Sequence, residues 1–158
     1  MNGKPLIYFA APLFSQAERA FNQQLTDKLE ELGFEVFLPQ RDGIESGKEP
    51  YSRMAPDELQ EAIHSLDRER VLESDIFLMV LDGRVPDEGA CVELGLAHAQ
   101  KQLLRKDKFL LGLHTDIRGA FPGGRLNAMV GGSFDCLTDS EESLLVMLKE
   151  FRQSRSGQ

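Results

Sequence analysis

At 158 residues, with 41% hydrophobic and 28% charged side chains, the chain has the length of one domain and the apolar content for a sizeable core. Its net charge of -8 argues against a phosphate-backbone partner, because nonspecific nucleic-acid binding requires a basic surface. No apolar run approaches membrane-spanning length and no apolar signal region opens the sequence. A cytoplasmic protein is therefore expected, with neither a membrane nor a nucleic-acid polymer as partner.

Residues 6–11 read as a first strand, ended by Pro12. Residues 15–32 have helical composition, with Phe21, Leu25, Leu29 and Leu32 spaced as one apolar stripe, and Gly33 terminates them. Residues 34–38 form a second strand stopped by Pro39. Strand, helix and strand within about thirty residues is the signature of a parallel βαβ unit. Residues 40–56 are polar and rich in breakers; a connection of that length is either a lid over a site or a solvated loop. A helix follows over 56–73, with Leu59, Ile63 and Leu66 as its inward face. Residues 76–81 are a short apolar run suited to one buried strand, and Asp82-Gly83-Arg84-Val85-Pro86 is a turn. Asp87-Glu88-Gly89 leads into a helix over 90–99, where acidic residues suit the helix start. Residues 109–113 and 133–137 read as fourth and fifth strands, separated by an irregular stretch over 114–132. A closing helix over 140–151 is capped by Ser140 and packs through Leu144, Leu145, Leu148 and Phe151, leaving 153–158 as a frayed tail. With no repeat and no second domain, residues 1–158 read as a single doubly wound α/β domain. About five mainly parallel strands carry helices on both faces, in a flavodoxin-like or Rossmann-like arrangement.

Acidic side chains carry the candidate chemistry. In an open α/β sheet, ligands sit where a strand's carboxyl end meets the following helix. That place here holds Asp87, Glu88 and Glu93. Glu93 lies about a turn and a half into its helix among Ala90, Gly95, Ala97 and Ala99, small residues that imply close packing around a carboxylate. Such a group can act as a nucleophile or in acid–base catalysis. Asp67 sits about 40° from Ile63 around its helix, at the edge of the apolar stripe. It is either solvated, paired with Arg68 or Arg70, or turned into a site. Other chemistries find little support. His64, His98 and His114 lack metal-ligand spacing, and no dinucleotide, P-loop or nucleophile-elbow motif is present, so no metal and no cofactor are expected. His98 suits packing or capping. Gly123-Gly124-Arg125 could nest an anion, although such pairs are common in turns. Cys91 and Cys136 lack C-x-x-C spacing and fit small buried residues in a reducing compartment.

The segment Asp87-Glu88-Gly89-Ala90-Cys91-Val92-Glu93-Leu94-Gly95 resembles the D-x-G-x-x-x-E-L-G motif of the nucleoside 2-deoxyribosyltransferase family. Ile7-Tyr8-Phe9-Ala10-Ala11-Pro12-Leu13-Phe14 is similar to that family's first strand and loop, Asp67 to its base-facing carboxylate, and Asn127-Ala128-Met129 to its N-x-M segment. The resemblance implies transfer of a 2-deoxyribosyl group between nucleobases by double displacement, with Glu93 as nucleophile and Asp67 or Asp87 as the acid. Tyr8 would orient Glu93, and Phe14 would form a wall beside base or sugar. Gln40 and Asp42, with Arg41, are candidates to touch the base. It also implies a homo-oligomer in which Asn127 and Met129 reach a neighbour's site. The family's chain-terminal carboxylate has no clear counterpart, given the polar extension over 152–158. Two alternatives stand beside transfer: an N-glycosidase acting on a deoxynucleoside or deoxynucleotide, and a non-catalytic nucleoside-binding module. Ala10-Ala11-Pro12-Leu13 lacks the Gly/Ser/Arg character of a phosphate loop, which favours a nucleoside.

Overall fold

The computed structural model describes residues 3–116 and 126–156. Five strands, β1 (Leu6–Ala10), β2 (Glu35–Phe37), β3 (Ile76–Val80), β4 (Phe109–Leu113) and β5 (Cys136–Thr138), form one sheet in the order β2-β1-β3-β4-β5. Every pairing is parallel, as the strand–helix alternation requires. The helices are α1 (Gln16–Glu31), α2 (Pro39–Asp42), α3 (Pro56–Glu73), α4 (Glu88–Leu104), α5 (Ala128–Gly131) and α6 (Glu141–Ser156).

Because side chains alternate along a strand, each strand supplies both faces of the sheet. Ile7, Phe9, Val36, Leu78 and Leu111 pack with Leu25 and Leu29 of α1 and Leu144 and Leu148 of α6. Tyr8, Ala10, Phe37, Phe77, Met79 and Leu110 pack on the opposite face with Val71 of α3 and Ala90, Leu94 and Ala97 of α4. Both faces are covered, which explains why β3 is apolar at every position and fully buried. The expected doubly wound α/β architecture is what the chain adopts. Its order reverses between β1 and β3, the switch point at which such sheets hold ligands.

Local chemistry sets the element boundaries. Ser15 caps α1 in a reciprocal box with Glu18, and Gly33 (φ +85°) closes it in the left-handed conformation that favours glycine. Gly112 in β4 permits a close approach, since a Cβ there would stand 2.4 Å from Leu137 Cδ2 and 2.9 Å from Leu81 Cδ1.

Four expectations need correction. Part of the 40–56 loop is ordered: Pro39 starts the single turn α2, whose Asp42 carboxylate accepts from Leu38 N at 2.9 Å, and Tyr51–Arg53 forms a 3₁₀ turn. The fifth strand begins at Cys136 rather than 133, because the Asp135 carboxylate before it is turned to Leu110 N and Lys101. Residues 153–156 continue α6 instead of fraying, since Arg155 of the last turn reaches both Asp75 and Asp107 and stacks on Phe151. Cys91 and Cys136 are free thiols that are only partly buried. Gly123-Gly124-Arg125 lie outside the described residues. Among the described residues, no helix is long and apolar enough to cross a membrane.

Candidate active site

Tyr8 projects from the middle of β1 toward α3 and α4 and is fully buried. Its hydroxyl donates to Glu93 Oε1 at 2.7 Å, joining residues 85 apart in sequence. Glu93 is the sixth residue of α4, whose N-terminus follows the carboxyl end of β3. Asp87 is the N-cap of that helix, its Oδ1 accepting from Ala90 N at 2.8 Å. Asp67 enters from α3, the helix packed beside α4.

Electrostatics tie these groups together. Burial pushes the Glu93 carboxyl up to about 7; the Tyr8 hydrogen bond opposes that rise, and the Asp67 and Asp87 charges add to it. Burial also raises Asp67, to about 6, with His64 pulling slightly the other way. Tyr8 is held far above the ordinary phenol range, first by burial and then by the charges of Glu93 and Asp67. The phenol therefore remains a donor at any physiological pH. Two carboxyl groups poised near neutrality, one fixed by a buried phenol, can divide nucleophilic and acid–base roles.

The remaining candidates are placed differently. Phe14 is 82% exposed, and its backbone N–H donates to the Glu18 carboxylate. Gln40 is occupied with α1, accepting from Asn22 Nδ2 and donating to the Arg19 carbonyl. Asp42 is occupied within α2 and with Arg41. Asn127 caps α5 through Met129 N, and Met129 is 79% exposed. Among the described residues, no hydrogen bond joins Gln40, Asp42 or Asn127 to the Tyr8–Glu93 pair. His98 contacts the Ser133 carbonyl at 3.1 Å, a packing role. Two residues that the motifs do not single out, Phe37 and Phe77, flank the Tyr8 ring, and Arg70, considered above as a partner of Asp67, instead lies over Phe37 and pairs with Glu73. The strands' two-residue period places Tyr8, Phe37 and Phe77 on one face, a signal legible in the sequence once the strand order is known.

A cavity of about 320 Å³ opens beside the switch point, walled by Pro12, Glu18, Asn22, Val80, Asp82 and Asp116 among others. Among the described residues, its lining includes the carboxylates of Glu18, Asp82 and Asp116. Glu93 is not part of its wall, and Val80 belongs to the face of the sheet that α1 covers.

A doubly wound α/β fold with a buried phenol–carboxylate pair beside a helix-capping aspartate thus defines the class. The sequence profile described as Nucleoside 2-deoxyribosyltransferase matches residues 7–134, and the chain belongs to that family. Among solved structures, a conserved protein from Enterococcus faecalis V583 is 26% identical, with 94% of this chain and 99% of that one covered and a TM-score of 0.77. A 2-deoxyribosyltransferase from Bacillus psychrosaccharolyticus is 20% identical, covering 89% and 90%, with a TM-score of 0.69. A CMP N-glycosidase from Clostridium botulinum is 18% identical, covering 92% and 98%, with a TM-score of 0.55. A search of curated proteins returned no match.

Proposed function

We propose that this protein transfers the 2-deoxyribosyl group of a deoxynucleoside from one nucleobase to another by double displacement with retention. The observation that carries the reading is the 2.7 Å bond from Tyr8 to Glu93, a carboxyl that burial pushes up to about 7. The Glu93 carboxylate attacks the anomeric carbon, the C–N bond breaks, and its electron pair leaves with the base. Asp67 delivers a proton to that base. An incoming base then attacks the same carbon, the ester C–O bond breaks to restore the Glu93 carboxylate, and the incoming base's proton returns to Asp67. Asp67 suits this role better than Asp87, whose carboxylate is committed to Ala90 N at the helix start. No residue in this scheme requires a metal or a cofactor.

The absence of phosphate-loop character after β1 favours a nucleoside over a nucleotide. The surface position of Asn127 and Met129 is compatible with completing the site of a second copy, so the working form is a homo-oligomer. Light scattering that found a fully active monomer at assay concentration would remove that part of the reading. Incubating the protein with a deoxynucleoside, with and without a second free base, decides the reaction. Chromatography should show the exchanged nucleoside. Free sugar as the sole product would establish an N-glycosidase, and no turnover would indicate a binding module.

A further inference from the structure

Two aromatic rings, Phe37 and Phe77, flank the Tyr8 ring whose hydroxyl binds Glu93. Strand register pairs Tyr8 with Phe37 on one side and with Phe77 on the other. All three side chains point to the α3/α4 face, so the rings form a row across β2, β1 and β3. The Tyr8 ring lies 5.6 Å from Phe37 at 19° and 5.8 Å from Phe77 at 8°, near-parallel to both. Phe77 is completely buried and Phe37 nearly so. Arg70 lies over the Phe37 ring at 5.6 Å, and its buried Nε has no hydrogen-bond partner. The ring is thus a principal contact of that guanidinium, beside the bond from its terminal nitrogen to Glu73.

A phenol has two side-chain torsions, and its hydroxyl swings through several ångströms when the ring turns about the first. A ring held between two parallel neighbours loses that freedom. We propose that Phe37 and Phe77 are positioning residues that clamp the Tyr8 ring from both sides and so hold its hydroxyl on Glu93 Oε1. The inference rests on the reading of Glu93 as the reacting carboxylate. Its physical content, that two aromatic rings fix a hydrogen bond to a third residue, is measurable without substrate.

The hydrogen bond from Tyr8 lowers the proton affinity of Glu93, so loosening it must raise that affinity. The test uses Phe77→Leu and Phe37→Leu in the full chain, with Tyr8→Phe as the reference for complete loss of the bond. Carboxyl carbon NMR, with Glu93→Gln to assign the resonance, gives the Glu93 titration midpoint of the free protein. Each leucine variant should raise that midpoint by up to about one pH unit, toward the value in Tyr8→Phe. Phe37→Tyr, which keeps the ring, should restore it. The double variant Tyr8→Phe/Phe77→Leu should move it no further than Tyr8→Phe alone, because both act through one bond. Where base exchange is present, kcat near pH 6.5 should fall several-fold with KM little changed. A merely structural role would lower thermal stability and leave the midpoint in place, and that result in a folded variant would overturn the proposal. So would additive shifts in the double variant. If Phe77→Leu fails to fold, Phe37→Leu decides, since β2 is at the sheet edge. A raised midpoint in a protein without exchange activity would uphold the clamp and refute only the proposed reaction.

Discussion

Replacing Asp67 with asparagine separates its two effects on the reaction. The proposed chemistry needs Glu93 ionised and Asp67 protonated, while burial places Glu93 at about 7 and Asp67 at about 6. The reactive pair is therefore the minority arrangement. Treated as independent groups, about one molecule in twenty carries it at the midpoint near pH 6.5. The rate should be bell-shaped, rising through about pH 6 and falling through about pH 7. Asp67→Asn keeps the side chain's shape but can no longer deliver a proton, and it removes a charge that raises Glu93. The alkaline limb should vanish, leaving one rising limb set by Glu93 alone at a pH below its wild-type value. General acid catalysis contributes roughly 10²–10⁴-fold, or about 3–5 kcal/mol. kcat should drop by that factor for a base that needs protonation, and much less for a base that leaves easily as an anion. The assay is initial exchange rate from pH 5 to 9 with one poor and one good leaving base. A persisting alkaline limb with unchanged discrimination between the two bases would refute the assignment of Asp67 as acid.

Two further predictions concern stability. Glu93 has a folded-state pKa raised from 4.5 to about 7, so the unfolded chain binds fewer protons between those values and stability falls as pH rises through them. Glu93→Gln should therefore stabilise the protein at pH 8 by up to about 3 kcal/mol and change little at pH 4.5, as read from urea midpoints. No gain at pH 8 would mean that the ionised carboxylate is well solvated or compensated. Asp87→Ala removes the N-cap of α4 and should cost about 1 kcal/mol, visible as a lower thermal midpoint, with a larger loss of exchange activity if the tilt of α4 carries Glu93 away from Tyr8.

Much of this architecture could be read from the amino-acid order. The boundaries of α3 and β4 fall where residues 56–73 and 109–113 are expected, because Pro56 and the apolar run Phe109–Leu113 are strong local signals. Ser15, Glu18 and Gly33 mark α1 by capping chemistry. The pairing of Tyr8 with Glu93 follows from family motifs and is found as a 2.7 Å hydrogen bond, while the roles of the site residues remain proposals. What stayed hidden depends on distant partners. Asn22 reads as a polar helix residue, yet it is 2% exposed because Pro12 and Gln40 accept its amide protons. Lys108 reads as a surface cation, yet it is 1% exposed, its ammonium shared by the carbonyls of Val71 and Ser74 and the Ser74 hydroxyl. Those three acceptors account for burial of a charge that composition alone would place in water. Gln40 and Asp42 looked available after the second strand, and their engagement with α1 and within α2 appears only when the strands are packed. The clamp on Tyr8 likewise depends on strand order, which no local pattern reveals.

The central claim is that Glu93 carries the sugar during the reaction. Mass spectrometry of the protein mixed with a deoxynucleoside and no acceptor base, quenched in acid and digested, tests it directly. The account predicts one deoxyribosyl group on the peptide that contains Glu93, with neither adduct nor exchange in Glu93→Ala, whose fold should be intact. An adduct on another peptide, or full exchange activity in Glu93→Ala, would contradict it.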